Sequence, residues 1–297
     1  MFFASKVKAD APQKNPKKLG TVVIVGVGMI GGSVGCGLRA AGACNEVIGV
    51  ERHPIKEAIG VGAVDRGLPL AEAVAKADVL VFSTPVGVMG ALAEQAAPYL
   101  KPGAVVTDTG SVSGHVAERL QPIFGSRYVA GHPIAGKELH GVHAADPDLF
   151  QDKAVILSPD ARSDQDAIDK VTALWHWLGA HTITMSARDH DRVFACVSHL
   201  PHLAAFALMG AVSAARTAEL DPAAFAAGGL RDFTRVAASD PLMWRDICLT
   251  NKAALLEMLD LYGAQLGIVR RAIETGDGQA LTDLFAHANT VRARMAQ

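Results

Sequence analysis

The chain is poor in cysteine and in aromatic residues: 4 Cys and 5% Phe, Trp and Tyr among 297 residues. Cys36, Cys44, Cys196 and Cys248 are scattered and form no C-x-x-C pair, which argues against both a disulfide framework and a zinc knuckle. They read as reduced, packed thiols of a cytoplasmic protein. Charge of one sign is also missing. With 28 Lys and Arg against 30 Asp and Glu there is no basic stripe, so no nucleic acid is expected as a partner. Long apolar runs are absent too. The most apolar stretch, Leu203 to Ala215, is about thirteen residues long against the roughly twenty of a membrane crossing, so a buried core helix and no membrane contact are expected. The first residues hold Lys6, Lys8, Lys14, Lys17 and Lys18 against Asp10, without the apolar core of a signal peptide or the arginines of a transit peptide. Residues 1–19 are therefore expected to be a flexible, solvated basic tail.

What is abundant is apolar residues, 50% of the chain, and glycine, 29 residues. From Gly20 onward, short β-branched runs alternate with helical stretches, which predicts an α/β, Rossmann-type, doubly wound and mostly parallel sheet over residues 20–185. Candidate strands are 21–25, 47–50, 79–83, 104–107, 127–130, 154–157 and 182–184. Val22-Val23-Ile24-Val25 and Val79-Leu80-Val81-Phe82 have the unbroken apolar character of strands covered on both faces. After Ser186 the strand signals stop, predicting a second, all-helical domain over residues 186–297, with breaks at Pro201, Pro222, Gly228-Gly229 and Pro241. Leu203-Ala204-Ala205-Phe206-Ala207-Leu208-Met209 is apolar on every face, which a small appendage cannot satisfy alone. A homodimer formed through the helical domain is the expected solution.

Gly26-Val27-Gly28-Met29-Ile30-Gly31 follows a candidate strand and opens a helix, and Glu51 ends the next strand. In that context Gly26 makes the tight turn, Gly28 lets the backbone approach a pyrophosphate, and Gly31 permits close helix packing. The first amides of the helix, around Met29 and Ile30, would meet the anion. Glu51 would bind an adenosine ribose and repel a 2′-phosphate, favouring NAD; Arg52 beside it works in the opposite sense and leaves NADP open. Ser83-Thr84-Pro85 and Asp108-Thr109-Gly110-Ser111 fall at the carboxyl ends of later strands, where such sheets hold ligands. Ser83, Thr84, Pro85 and Asp108 are candidate cofactor contacts, with helix capping the alternative for the two hydroxyl residues.

The next such loop reads Gly131-His132-Pro133-Ile134-Ala135-Gly136-Lys137-Glu138. A neutral imidazole at the edge of a nicotinamide site is placed to take a proton from an alcohol while hydride leaves the same carbon, which makes His132 a candidate base. Further on come Ser198-His199-Leu200-Pro201-His202, Phe233-Thr234-Arg235 and Ser239-Asp240-Pro241-Leu242-Met243-Trp244-Arg245-Asp246. Two histidines around a proline, with no third ligand at recognisable spacing, do not make a metal site. In order, GVGMIGGS, TDTGSV, GHPIAG, SHLPH, FTR and SDPLMWRD resemble the prephenate and arogenate (cyclohexadienyl) dehydrogenase family of tyrosine biosynthesis. The resemblance runs from Gly20 to the last helix.

It implies an NAD-dependent oxidative decarboxylation of prephenate, arogenate or both: hydride leaves C4 of a cyclohexadienol, the C4 hydroxyl loses its proton, and the ring carboxylate departs as carbon dioxide. By the same resemblance His132 and Ser111 are catalytic, and Arg235 holds a substrate carboxylate, a task suited to a planar guanidinium. His202, Trp244, Glu138 and Lys137 are implied near the substrate. His199 is read more readily as a core histidine. Lys137 stands where the family usually has a small hydroxyl residue, and Ser113 where it often has lysine. No chorismate mutase or ACT-type domain is expected after the last motif, so any inhibition by tyrosine would have to act at the active site or the dimer interface. Two other readings fit parts of the pattern. A β-hydroxyacid dehydrogenase would share the architecture, but Lys252 is followed four residues on by Leu256 rather than asparagine. A non-catalytic NAD-sensing dimer would have no use for His132, Ser111 and Arg235.

Overall fold

The computed structural model describes residues 9–12, 16–52, 55–136 and 139–296. Its strands are β1 Ala9–Asp10, β2 Thr21–Val25, β3 Glu46–Val50, β4 Arg66–Gly67, β5 Val79–Phe82, β6 Val105–Asp108, β7 Tyr128–Pro133, β8 Ala154–Ser158 and β9 His181–Thr184. All seven expected strands are present. They join in one sheet of order β1-β9-β8-β7-β6-β5-β2-β3-β4. From β4 to β7 the neighbours are parallel; β8 pairs antiparallel with β7 and parallel with β9.

The period of two along each strand sorts side chains onto two faces. Val22 and Ile24 of β2 and Val79 and Val81 of β5 enter one core, with α1 (Met29–Ala40), α2 (Ile55–Gly60) and α6 (Gln165–Trp177). Val23, Val25, Leu80 and Phe82 enter the other, with α3 (Leu70–Val74), α4 (Val86–Ala96) and α5 (Ser113–Phe124). Every residue of β5 is buried, as its unbroken apolar run requires. The chain passes from β2 to β3 on one side and returns to β5 on the other, so helices diverge at the carboxyl ends of β2 and β5 and leave a crevice there.

Two expectations about chain ends and helices are corrected. Within the supposed basic tail, Ala9–Asp10 pairs antiparallel with Ile183 and Thr182, Pro16 and Leu19 are buried, and the Lys17 carbonyl accepts a 3.3 Å bond from Trp177 Nε1. The open edge of β9 offers unpaired backbone groups, and this segment supplies partners for them. Pro201 does not break the helix. α7 (Ala187–Phe194) continues through a π-helical turn, Ala195–His199, into α8 (Leu200–Ala214). A proline at 201 has no N–H for the Val197 carbonyl, and the wider turn, in which Leu200 N–H reaches Ala195 O, absorbs that defect.

The resulting helix, Ala187–Ala214, is 28 residues long with a mean hydropathy of 1.5 in its most apolar window, enough by length and composition to cross a membrane. Nor is α8 the buried core helix expected: only Ala205 is buried within the chain. After it come α9 (Gly228–Thr234), a 3-10 turn Arg235–Ala238 and α10 (Pro241–Thr250). Residues up to Asn251 form one compact unit and those from Lys252 another. Within the first unit α7 packs on α5 and β8 and α10 on α4, while α8 and α9 pack on each other and on the short turns beside them. The second unit is α11 (Lys252–Thr275) packed on α12 (Gly278–Ala293), joined at Gly276, whose φ of +67° suits glycine.

Candidate active site

At the crevice the glycine turn has the geometry of an anion cradle. Gly26 has φ +94°, and a side chain there would strike the Ser83 carbonyl; one at Gly31 would strike the Gly26 carbonyl. Around Gly28 there is open space. Gly28 caps α1 with no side-chain bond, so the first amides of the helix around Met29 and Ile30 face outward for a ligand. Glu51, exposed at the end of β3, accepts Val27 N–H at 2.8 Å and Arg52 N–H at 2.7 Å, which ties the acid to the turn while leaving further lone pairs on both oxygens. Arg52 is exposed beside it. The residues therefore fit a dinucleotide. Ser83 Oγ lies 2.9 Å from Thr109 Oγ1, joining the loops after β5 and β6, while the buried Thr84 Oγ1 has no partner among the described residues. Pro85 is the N-cap of α4.

Asp108 is not where a cofactor contact should be. It is 1% exposed and turned inward, accepting from Tyr128 Oη at 2.6 Å, Gly110 N–H at 2.7 Å and Gly131 N–H at 3.4 Å. Burial pushes its carboxyl up to about 7, against the pull of these donors. Its position at the last residue of β6, already inside the sheet, is the reason. What it does is hold the Ser111 loop and the His132 strand in fixed relation. Ser113 is likewise buried, at the first turn of α5.

His132 sits in β7 with its Nδ1 2.8 Å from His190 Nε2, and His190 Nδ1 lies 2.8 Å from Asp191 Oδ1. Phe194 packs against both rings, at 4.9 and 4.5 Å between centroids. Enclosure holds the His132 imidazole well below its ordinary value, so it is neutral at pH 7. The other oxygen of Asp191 accepts from Gly114 N–H at 3.0 Å, at the start of the helix that follows Ser111. His190 and Asp191 escaped sequence reasoning because they lie within the helical run A-R-D-H-D-R and carry no motif of their own.

The π turn presents His199 and the start of α8 presents His202. Asn251 Nδ2 bonds the Asp191 carbonyl at 2.9 Å and His199 Nδ1 at 3.1 Å. His199, 1% exposed, is thus the core histidine expected, and burial lowers it to about 4. His202 Nδ1 bonds the Ser198 carbonyl at 2.9 Å, and its ring stacks on Trp244 at 3.8 Å. Trp244 is buried with Val112 and Ile247, so the residue after Ser111 is locked to α10, and its Nε1 has no partner among the described residues. Arg235 opens the 3-10 turn that packs on α8, and is exposed. Lys137 and Glu138 lie outside the described residues. Among the described residues no cluster of His, Cys, Asp or Glu could hold a metal.

The two buried titrations oppose each other. His199 takes up protons in the unfolded chain before the folded one, so its stabilisation is complete above about pH 6.5 and is lost as pH falls toward 4. Asp108 binds its proton more readily when folded, so its contribution is full at low pH and is lost as pH rises toward 7. His199→Gln is therefore expected to remove about 2–3 kcal/mol of acid destabilisation between pH 7 and 4.5 relative to wild type, read by chemical denaturation. Parallel pH dependences would contradict the assignment.

Family models match the chain as prephenate dehydrogenase, nucleotide-binding domain, over residues 34–184, and prephenate dehydrogenase, dimerization domain, over residues 186–287. A cyclohexadienyl dehydrogenase of Zymomonas mobilis is 37% identical over 279 residues, 91% of this chain and 94% of that protein. A prephenate dehydrogenase of Bacillus subtilis is 32% identical over 92% of this chain and 75% of its own length. Among solved structures, the prephenate dehydrogenase of A. aeolicus in complex with hydroxyphenyl propionate and NAD+ superposes with a TM-score of 0.89 at 34% identity, covering 95% of this chain and 100% of that one. The arogenate dehydrogenase of Synechocystis gives 0.81 at 28% identity, with 93% and 99% covered. The glycine cradle, the enclosed imidazole and the helical segment around His202 and Trp244 thus belong to a chain that is a member of the prephenate dehydrogenase family.

Proposed function

We propose that the protein is an NAD-dependent cyclohexadienyl dehydrogenase of tyrosine biosynthesis, acting on prephenate, arogenate or both. The observation that carries this reading is His132: an enclosed, neutral imidazole at the sheet's carboxyl edge, on the strand next but one to that bearing the cofactor turn's neighbour loop, Ser83 to Pro85. NAD, held by the Gly26–Gly31 turn, the first amides of α1 and Glu51, supplies a hydride acceptor when bound. His132 takes the proton of the C4 hydroxyl, with Ser111 on the adjoining loop orienting that group. Arg235 grips a substrate carboxylate in a two-point fork, and His202 and Trp244 flank the substrate's side chain. Loss of the ring carboxylate as carbon dioxide aromatises the product. Glu51 favours NAD over NADP.

Residue 186 marks the passage from the dinucleotide-binding domain to the helical one in this reading, in keeping with the limits of the two family models. The helical part is proposed to dimerise. α8 leaves most of its apolar surface uncovered in one chain, α11 and α12 bury only Leu255 and Ala272, and the matching family domain is named for dimerization. A second copy, not a membrane, suits Ala187–Ala214, because its first turns carry Arg188, Asp189, Asp191 and Arg192. We place the enzyme in the cytoplasm, with no nucleic-acid partner.

Initial rates of reduced-cofactor formation with prephenate and with arogenate, each with NAD and NADP, test the reading; turnover with at least one pair is expected, and none would reject it. His132→Asn should lose most of kcat with cofactor affinity near wild type, whereas a normal kcat would remove His132 from the mechanism. For Arg235→Gln, KM for the diacid should rise by about one to two powers of ten, the worth of a charge-assisted pair of about 2–3 kcal/mol; an unchanged KM would pass the role to another cation. Sedimentation equilibrium should give twice the chain mass, and a monomer at micromolar concentration would refute the dimer.

A further inference from the structure

We infer that His190 and Asp191 are positioning residues that fix the tautomer of His132, leaving the lone pair of its Nε2 directed to the substrate hydroxyl; this rests on the dehydrogenase reading above. Asp191 Oδ2 accepts from Gly114 N–H, and its Oδ1 faces His190 Nδ1 at 2.8 Å. A carboxylate only accepts, so Nδ1 of His190 carries the proton. With that single ring proton on His190, Nε2 is the acceptor, and at 2.8 Å it receives from His132 Nδ1. His132 is left with hydrogen on Nδ1 and none on Nε2, the form that can act as a base through Nε2.

The surroundings keep the chain in that order. His190 is 0% exposed, and Phe194 lies against both imidazoles, which keeps water from competing for the bond between them. Asn251 donates to the Asp191 carbonyl and to His199 Nδ1, anchoring the residue from its backbone side. When His132 accepts the hydroxyl proton it becomes an imidazolium, still donating from Nδ1 to His190, with the Asp191 charge one ring beyond. The proton stays on His132 Nε2, the hydride goes to the nicotinamide, and carbon dioxide leaves, so the pair neither gains nor loses an atom. The logic is that of an acid orienting a catalytic histidine, extended by one imidazole.

Asp191→Asn inverts the chain. Gly114 N–H can only donate, so it retains the amide oxygen and turns the NH2 toward His190. His190 then accepts at Nδ1 and donates from Nε2, forcing hydrogen onto His132 Nε2. Two measurements are decisive. Kinetically, the folded variant should lose about 10²-fold or more in kcat, with KM for the cyclohexadienyl substrate and Kd for NADH within about threefold of wild type; a kcat within threefold of wild type, or a loss confined to KM, overturns the inference. Spectroscopically, ¹⁵N-histidine NMR of the wild-type protein without substrate, with the His132 signal assigned by its loss in His132→Asn, should show the Nδ1–H form. An Nε2–H form overturns the inference, and this readout stands even where Asp191→Asn fails to fold. Absence of turnover in wild type would instead reject the dehydrogenase reading, while leaving the tautomer measurement intact.

Discussion

The hydrogen bond between His132 and His190 is the interaction on which the site depends. It joins a residue of the sheet's edge to one of the first helix beyond it, and everything that fixes those two elements serves this contact. On the sheet side, Asp108 gathers Tyr128, Gly110 and Gly131 around one buried carboxyl, so the strand bearing His132 cannot shift against the loop bearing Ser111. On the helix side, Asp191 reaches back to Gly114 and Asn251 reaches back to Asp191. Asp108, buried, and Asp191, mostly so, thus set the geometry of the residues around His132. The energetic cost is visible in Asp108, whose burial raises its carboxyl to about 7.

The π turn at Ala195–His199 is the second constraint. A missing N–H at Pro201 would break an ordinary helix, at a cost of about 3 kcal/mol. Here the wider turn lets α7 run on into α8 without interruption, keeping Asp191 and His202 on one continuous element. His202 then stacks on Trp244, which shares a small core with Val112. The hydrogen-bonded imidazoles and the His202–Trp244 stack are in this way linked through the residues that flank Ser111.

Much of this was legible in the sequence. The strands β2 and β5 could be read because parallel strands covered on both faces need unbroken apolar runs, and the glycine turn because each glycine answers a specific steric demand. The ordered motifs carried the family. What could not be read lies where local signal is silent. The strand Ala9–Asp10 has no apolar pattern and exists because β9 leaves an open edge. Pro201 signals a break in any local reading, and only the surrounding packing favours a bulge. Asp108 looked like a ligand contact because it ends a strand at the right edge, yet its last-residue position turns it inside. His190 and Asp191 sit in a polar helical segment whose role appears only when β7 is placed beside it. α8 looked like core because apolarity alone does not tell whether a helix is covered within its own chain.

His132 is expected to meet the reacting hydroxyl through Nε2 while His190 holds Nδ1. A crystal structure of the protein with NAD and hydroxyphenyl propionate tests it most directly. The account predicts the phenolic oxygen within hydrogen-bond reach of His132 Nε2, about 2.6–3.2 Å, with the bond from Nδ1 to His190 retained. A ligand bound with its carboxylate at His132, or a His132 ring turned so that Nδ1 faces the phenol, would contradict it.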